Sequence, residues 1–227
     1  MLIKTNLHFN INPIIKQVTE LSWDSRSIQL NETTGHLLNG IYVVKPEFIG
    51  TPLGDVLTAL GDIGEARLLK IASGETYTAH TDPDDRFHLS IISNEFCYLA
   101  NLEEDTLHHL PVDGYVWEMD TSIKHSAINL GGLPRIQLNI RKRLPAFTAP
   151  GMRLEIVTKG FAWKQDLYID TMGYINSKIK SGEVTGFTPI DDKVMLINCS
   201  DAVLNYLTNI IFLKGCELEI TPELPLV

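Results

Sequence analysis

The amino-acid sequence predicts a mainly β protein, an antiparallel sandwich or barrel with flanking helices and a small α/β unit at its C-terminal end. Two observations predict it. Between Ala66 and Arg141, short runs of alternating or β-branched residues follow one another at close spacing, separated mostly by turn residues rather than by helical segments. Beyond Leu144-Pro145 the pattern changes to strand, helix, strand, helix, strand.

Taken in order, residues 11–21 read as a short helix, followed by a polar loop rich in Asn, Thr and Gly up to Asn39. Extended pieces are expected at Ile41–Val44 and Ala66–Ile71, then strands at Arg86–Ser93, Phe96–Leu102, Tyr115–Met119 and Arg135–Arg141. Glu103-Glu104-Asp105 reads as a hairpin turn and Asp84-Asp85 as a solvated turn. In the tail, Arg153–Thr158 is strand-like and a helix is expected from Lys164 to Lys180, ended by Ser181-Gly182. A buried strand at Val194–Asn198, a helix capped by Ser200 or Asp201 and running to Leu213, and a strand at Glu217–Ile220 complete it. Two domains are therefore expected, residues 1–145 and residues 146–227.

Composition bounds the function. With 227 residues, 44% hydrophobic and 21% charged, the chain can bury one sizeable core with a smaller appendix. A net charge of −9 argues against nucleic acid as a partner, because phosphate backbones are gripped by clustered Lys and Arg. The one basic cluster, Arg141-Lys142-Arg143, reads as a solvated strand end. No unbroken apolar run is long enough to span a membrane, and the polar residues near the N-terminus break up any signal-like segment. Cys97, Cys199 and Cys216 have no metal-ligand spacing and are odd in number, which points to a reducing, cytoplasmic setting. They read as small buried residues, and no nucleophile elbow or phosphate-binding glycine loop is present.

Two strands carry a polar face. Residues 86–93 place Phe87, Leu89 and Ile91 on one side and Arg86, His88 and Ser90 on the other; residues 135–141 place Ile136, Leu138 and Ile140 opposite Arg135, Gln137 and Asn139. Such a face either meets water on a half-buried sheet or lines a cleft inside a barrel. Immediately before the first strand stands His80-Thr81-Asp82. In extended chain, residues two apart point the same way, so this imidazole and carboxylate can converge on one cation. His125, in the run K-H-S-A-I-N, offers a second imidazole, and ten positions later Arg135 offers a guanidinium suited to clamping a carboxylate. Two His and one carboxylate on one face of an octahedron leave three positions open, the arrangement that non-haem iron(II) oxygenases use.

With these pieces in order, the sequence resembles the aspartyl/asparaginyl β-hydroxylase superfamily from about Ala66 to Arg143. The resemblance is carried by L-L-K-I-A-S-G-E-T-Y-T-A-H-T-D, R-F-H-L, G-Y-V-W-E-M-D, K-H-S-A-I-N and R-I-Q-L-N-I. It implies a double-stranded β-helix (jelly-roll, cupin-like) core, an iron(II) ion, 2-oxoglutarate as co-substrate, O₂, and hydroxylation of an amino acid, free or within a peptide or protein. By position, the resemblance makes His80, Asp82 and His125 the catalytic iron ligands. Arg135 would pair with the far carboxylate of 2-oxoglutarate, and Arg86 and His88 would face a co-substrate or substrate carboxylate. Where some relatives place a serine ahead of the glycine matching Gly74, this chain has Leu69, so the co-substrate pocket would be completed from a neighbouring strand.

Other residues read more plainly. Tyr115 and Trp117 are expected in the core, and adjacent His108 and His109 in a surface turn. Two further functions fit parts of the pattern: a cupin-like metalloenzyme that needs no 2-oxoglutarate, and a non-catalytic binding module. The C-terminal unit is open to capping the active site, forming a homodimer or binding a protein.

Overall fold

The computed structural model of the chain describes residues 2–35, 37, 40–144, 152–158, 165–189, 194–213 and 216–222. In chain order the elements are β1 (Leu2–His8), α1 (Ile11–Glu20), β2 (Ser27–Gln29), β3 (Asn31–Glu32), β4 (Val43–Val44) and α2 (Pro52–Leu60), the last preceded by one 3₁₀ turn at Pro46–Phe48. Then come β5 (Ile63–Ile71), β6 (Glu75–Thr76), β7 (Arg86–Ile92), β8 (Cys97–Asn101), β9 (Thr106–His108), β10 (Tyr115–Met119), β11 (His125–Asn129) and β12 (Arg135–Lys142). The tail carries β13 (Met152–Thr158), α3 (Gln165–Lys180), β14 (Val184–Pro189), β15 (Val194–Cys199), α4 (Asp201–Leu213) and β16 (Cys216–Pro222). The expected helix start at Lys164 and the expected domain boundary at Pro145 lie outside the described residues.

The protein is mainly β, with antiparallel sheets throughout. The chain groups into two compact units, Met1–His80 with Asp84–Arg143, and Thr81–Pro83 with Leu144–Val227. The first holds a six-stranded sheet in the order β1-β10-β7-β12-β5-β2 and a four-stranded sheet in the order β6-β11-β8-β9. The alternation in β7 and β12 decides what each face of the larger sheet meets. Leu89, Ile91, Ile136, Leu138 and Ile140 join Leu68 of β5 and Ile14, Val18, Leu53, Val56 and Leu57 of the two helices in one apolar core. Both helices start on side-chain caps: Asn10 Oδ1 accepts from Asn12 N at 3.2 Å, and Thr51 Oγ1 from Gly54 N at 3.3 Å, with Pro52 in the first turn. Gly54 must be glycine, because a Cβ there would lie 1.9 Å from the Phe48 carbonyl oxygen.

The opposite face of the same sheet is polar and buried. Arg86, His88, Ser90, Arg135 and Gln137 are each at most 6% exposed, so of the two readings of a polar strand face the water-facing one is excluded. Strand register lines these residues up, with Gln137 opposite Ser90, Asn139 opposite His88, and Arg141 opposite Arg86. The two sheets are tied by side chains: Arg135 Nη1 donates to the Tyr98 carbonyl of β8 at 3.0 Å, and Asn129 Nδ2 of β11 donates to the Ile71 carbonyl of β5 at 3.1 Å.

The structure departs from the sequence expectation at two residues. Asp84 is not in a solvated turn: it is fully buried between Arg86 at 3.2 Å and Arg141 at 2.7 Å. Arg141 accordingly does not solvate a strand end; it is buried and also meets Glu65 at 3.3 Å. A buried carboxylate is tolerated only with such partners, since desolvating an ion without pairing costs several kcal/mol, roughly speaking. Its neighbours do reach solvent, Lys142 pairing with Glu118 and Arg143 with Asp62. The hairpin turn after β8 forms as read, with Asn101 Oδ1 accepting from the backbones of Glu103 and Glu104.

The second unit has an antiparallel sheet ordered β14-β15-β13-β16, with α3 and α4. Its buried residues include Leu154, Met172, Ile175, Phe187, Ile197, Val203 and Leu207. The Thr81–Pro83 segment belongs to it by contact. Asn176 Nδ2 donates to the Asp82 carbonyl at 3.3 Å, and a Cβ on Gly173 would stand 2.6 Å from Thr81 Oγ1. Among the described residues no helix is long and apolar enough to cross a membrane.

Candidate metal centre

His80 and His125 meet as an isolated antiparallel bridge. Each backbone N–H donates to the other's carbonyl, at 3.0 Å from His80 and 2.9 Å from His125, and the two imidazole centroids are 4.5 Å apart. The rings are also oriented individually. His80 Nδ1 lies 2.7 Å from the Thr78 carbonyl oxygen, and His125 Nδ1 lies 2.8 Å from that of Ile123. A carbonyl only accepts, so in both residues Nδ1 is the donor, and the neutral ring then carries its lone pair on Nε2. An imidazole with Nδ1–H held by a backbone carbonyl is the form that ligates metals through Nε2.

Asp82 is placed by its neighbours in sequence. Pro83 follows it, which disfavours helical backbone at Asp82 and keeps the His80-Thr81-Asp82 run extended. The ligand-capable atoms of His80, Asp82 and His125 all lie within 4.8 Å of one another. Among the described residues this is the one group of three or more His, Cys, Asp or Glu so gathered. Donor atoms on one octahedral face of a divalent transition metal stand roughly 3 Å apart, so modest side-chain rotation closes the trio on an ion. Two neutral imidazoles and one carboxylate fit iron(II) by charge and by ligand type.

Arg135 is 1% exposed and makes no ion pair among the described residues. Its guanidinium donates to the Tyr98 carbonyl and to Gln137 Oε1, both neutral. Burial pushes its pKa down to about 10, because a desolvated cation without a nearby anion is held at a cost. Arg86 is placed differently. It pairs with Asp84 and donates to Asn139 Oδ1 at 3.4 Å. His88 is buried between Asn139 on β12 and Trp117 on β10 in the strand register.

Several other positions are informative. Asn129, four residues beyond His125, is fully buried and its Nδ2 donates to the carbonyls of Ile71, Ala72 and Leu133, fixing the turn into β12. Trp117 packs with Leu99, Leu110 and Met119, whereas Tyr115 lies under the Lys4 ammonium, 3.6 Å from the ring centroid. His108 and His109 diverge, toward Thr106 Oγ1 and the Cys97 carbonyl respectively. The cysteines are free thiols. Sequence reasoning missed the role of Asp84; the signal available was its spacing of two from Arg86 ahead of a polar strand face.

No family model matches the chain, and no curated protein matches it. Among the solved structures that match is the crystal structure of CapF with inhibitor 3-isopropenyl-tropolone, 11% identical over 50% of this chain and 30% of that one, with a TM-score of 0.31. The chain thus spans under a third of that protein's length. A likeness of that size carries neither fold nor function.

Proposed function

We propose that the protein is an iron(II)- and 2-oxoglutarate-dependent oxygenase that hydroxylates an amino-acid unit, free or in a peptide or protein, on a double-stranded β-helix core. The observation that carries the reading is the gathering of His80, Asp82 and His125, with both imidazoles held in the metal-ligating tautomer. Arg135 separates this reading from that of a metalloenzyme without 2-oxoglutarate. A buried guanidinium with only neutral partners suits a carboxylate arriving with the co-substrate. The order and spacing of the motifs between Ala66 and Arg143 point the same way.

In the overall reaction, one oxygen atom of O₂ enters the product hydroxyl and the other enters succinate: R–H, O₂ and 2-oxoglutarate give R–OH, succinate and CO₂. Iron(II), when bound, supplies O₂ activation and chelation of the keto acid. The chain's own residues supply the rest. Backbone carbonyls of Thr78 and Ile123 hold the two imidazoles in place, Arg135 neutralises and orients the distal carboxylate, and the buried sheet face keeps bulk water from the reacting groups.

The test is turnover. Protein reconstituted with iron(II) is incubated with 2-oxoglutarate and panels of amino acids and peptides, and succinate and products one oxygen heavier are measured. Coupled formation of both, lost in His125→Ala, is expected. Equal turnover in that variant, or none in the wild type across the panels with metal bound, contradicts the reading.

A further inference from the structure

Three buried side chains of the polar sheet face each hold a polar atom without a hydrogen-bond partner among the described residues: Arg135 Nε, Gln137 Nε2 and Ser90 Oγ. The residues are 1%, 6% and 1% exposed. A buried polar atom with no partner costs on the order of 1–3 kcal/mol, so three in one place require a reason.

They are in one place. Gln137 follows Arg135 by two on β12, on the same face, and Ser90 of β7 is the cross-strand partner of Gln137. Side chains so paired have Cβ atoms about 4.5–5.5 Å apart. Arg135 Nη2 donates to Gln137 Oε1, which fixes the amide with its oxygen toward the guanidinium. On the other side of β12, the partner of Gln137 is Leu69. The row across three strands is therefore aliphatic at Leu69 and hydroxylic at Ser90.

All three unmade bonds can be donor bonds. Guanidinium and amide N–H groups only donate, and the serine hydroxyl is able to. Three donors beside a cation with no anionic partner among the described residues suit an anion, and the planar fork of the guanidinium matches a carboxylate.

We propose that Ser90 and Gln137 complete a carboxylate receptor around Arg135 and grip the far carboxylate of the co-substrate, making them determinants of co-substrate specificity. This rests on the 2-oxoglutarate reading above.

The experiment is calorimetric titration of the full chain with manganese(II) in place of iron. Two ligands are compared, 2-oxoglutarate and 2-oxopentanoate, the second keeping the keto acid and lacking the far carboxylate. Ser90→Ala and Gln137→Met are each expected to weaken 2-oxoglutarate about tenfold or more, the value of one hydrogen bond to a charged group, and to leave 2-oxopentanoate unchanged. Ser90→Ala is also expected to melt no lower than wild type without ligand, because its hydroxyl has no partner to lose. Unchanged 2-oxoglutarate affinity in both variants overturns the proposal and leaves the co-substrate reading standing. Equal weakening of both ligands assigns the residues a structural role and also overturns it. If wild type takes up no 2-oxoglutarate, the co-substrate reading fails, and metal-free glutarate titration judges the receptor by itself. Glutarate binding lost in Ser90→Ala upholds the receptor, and no glutarate binding overturns it.

Discussion

His80 and His125 hydrogen-bond each other's backbones in both directions, at 3.0 and 2.9 Å, while each ring is tied to a carbonyl two residues earlier in its own segment. The spacing of the imidazoles is thus set by main chain, independently of any ion. His125→Ala is expected to keep the fold, melting without metal close to the wild-type temperature. Metal at about a hundredfold over its Kd adds roughly 2.7 kcal/mol to a folded state that binds it. For a chain of this size that raises the wild-type melting temperature by very roughly 5–10 °C. The variant should show no such rise in a thermal-shift titration with manganese(II).

Arg135→Met should make the ligand-free protein more stable, not less. Holding a buried guanidinium whose pKa is pushed down to about 10 costs on the order of 3 kcal/mol in the charged form, offset in part by its hydrogen bonds to Tyr98 and Gln137. The sign with pH follows. Because the folded pKa is lowered, the unfolded chain binds more protons between about pH 10 and the ordinary arginine range, and the cost fades as pH rises through 10. The stability gain of the variant over wild type should be full at pH 8 and shrink above pH 10, as read from paired melting curves. A variant less stable at pH 8 would contradict this assignment.

Gly173 has no room for a side chain. A Cβ there would stand 2.6 Å from Thr81 Oγ1 and 2.7 Å from Thr81 Cβ, so one of the two segments must move in Gly173→Ala. Overpacking of this kind costs about 1–3 kcal/mol. Gly132→Ala is the control, since nothing lies within 4 Å of a Cβ at that position. Urea denaturation should show the loss in the first variant and little change in the second.

Removing the carboxylate in Asp84→Ala takes from Arg86 and Arg141 the buried partner they share, leaving Arg141 with Glu65 and Arg86 with Asn139. Breaking a buried ion pair from one side costs about 3–5 kcal/mol. Replacing Lys142, whose pairing with Glu118 is half exposed, should cost well under about 1 kcal/mol. Equal effects of Asp84→Ala and Lys142→Ala in denaturant melts would contradict the burial argument.

Much of the scaffold was legible because period-two patterning writes itself into β7 and β12. Phe87, Leu89 and Ile91 alternate with Arg86, His88 and Ser90, and the structure uses both faces as patterned. What patterning does not reveal is what the polar side meets. A polar strand face looks the same in sequence whether water or a second sheet covers it, and only the fold decides that Arg135 donates to Tyr98. Asp84 was misjudged for a related reason. Asp-Asp after Pro83 has turn composition, while its partner Arg141 lies far along the chain. Helix α2 is obscured in sequence although Thr51-Pro52 marks its start, because Gly54 interrupts the first turn. Strand β1 is hard to see in sequence because polar residues interrupt its apolar positions; it pairs with β10. Within the candidate site, His80-Thr81-Asp82 was visible from spacing. His125 opens β11 opposite His80, a cross-strand pairing that linear spacing does not encode.

The most direct test is to count iron. Protein equilibrated anaerobically with iron(II) and freed of excess should carry one iron per chain, and His80→Ala, Asp82→Ala and His125→Ala should each carry none. Wild-type protein without iron, or an Asp82→Ala or His125→Ala variant retaining a full equivalent, would contradict the assignment of this site.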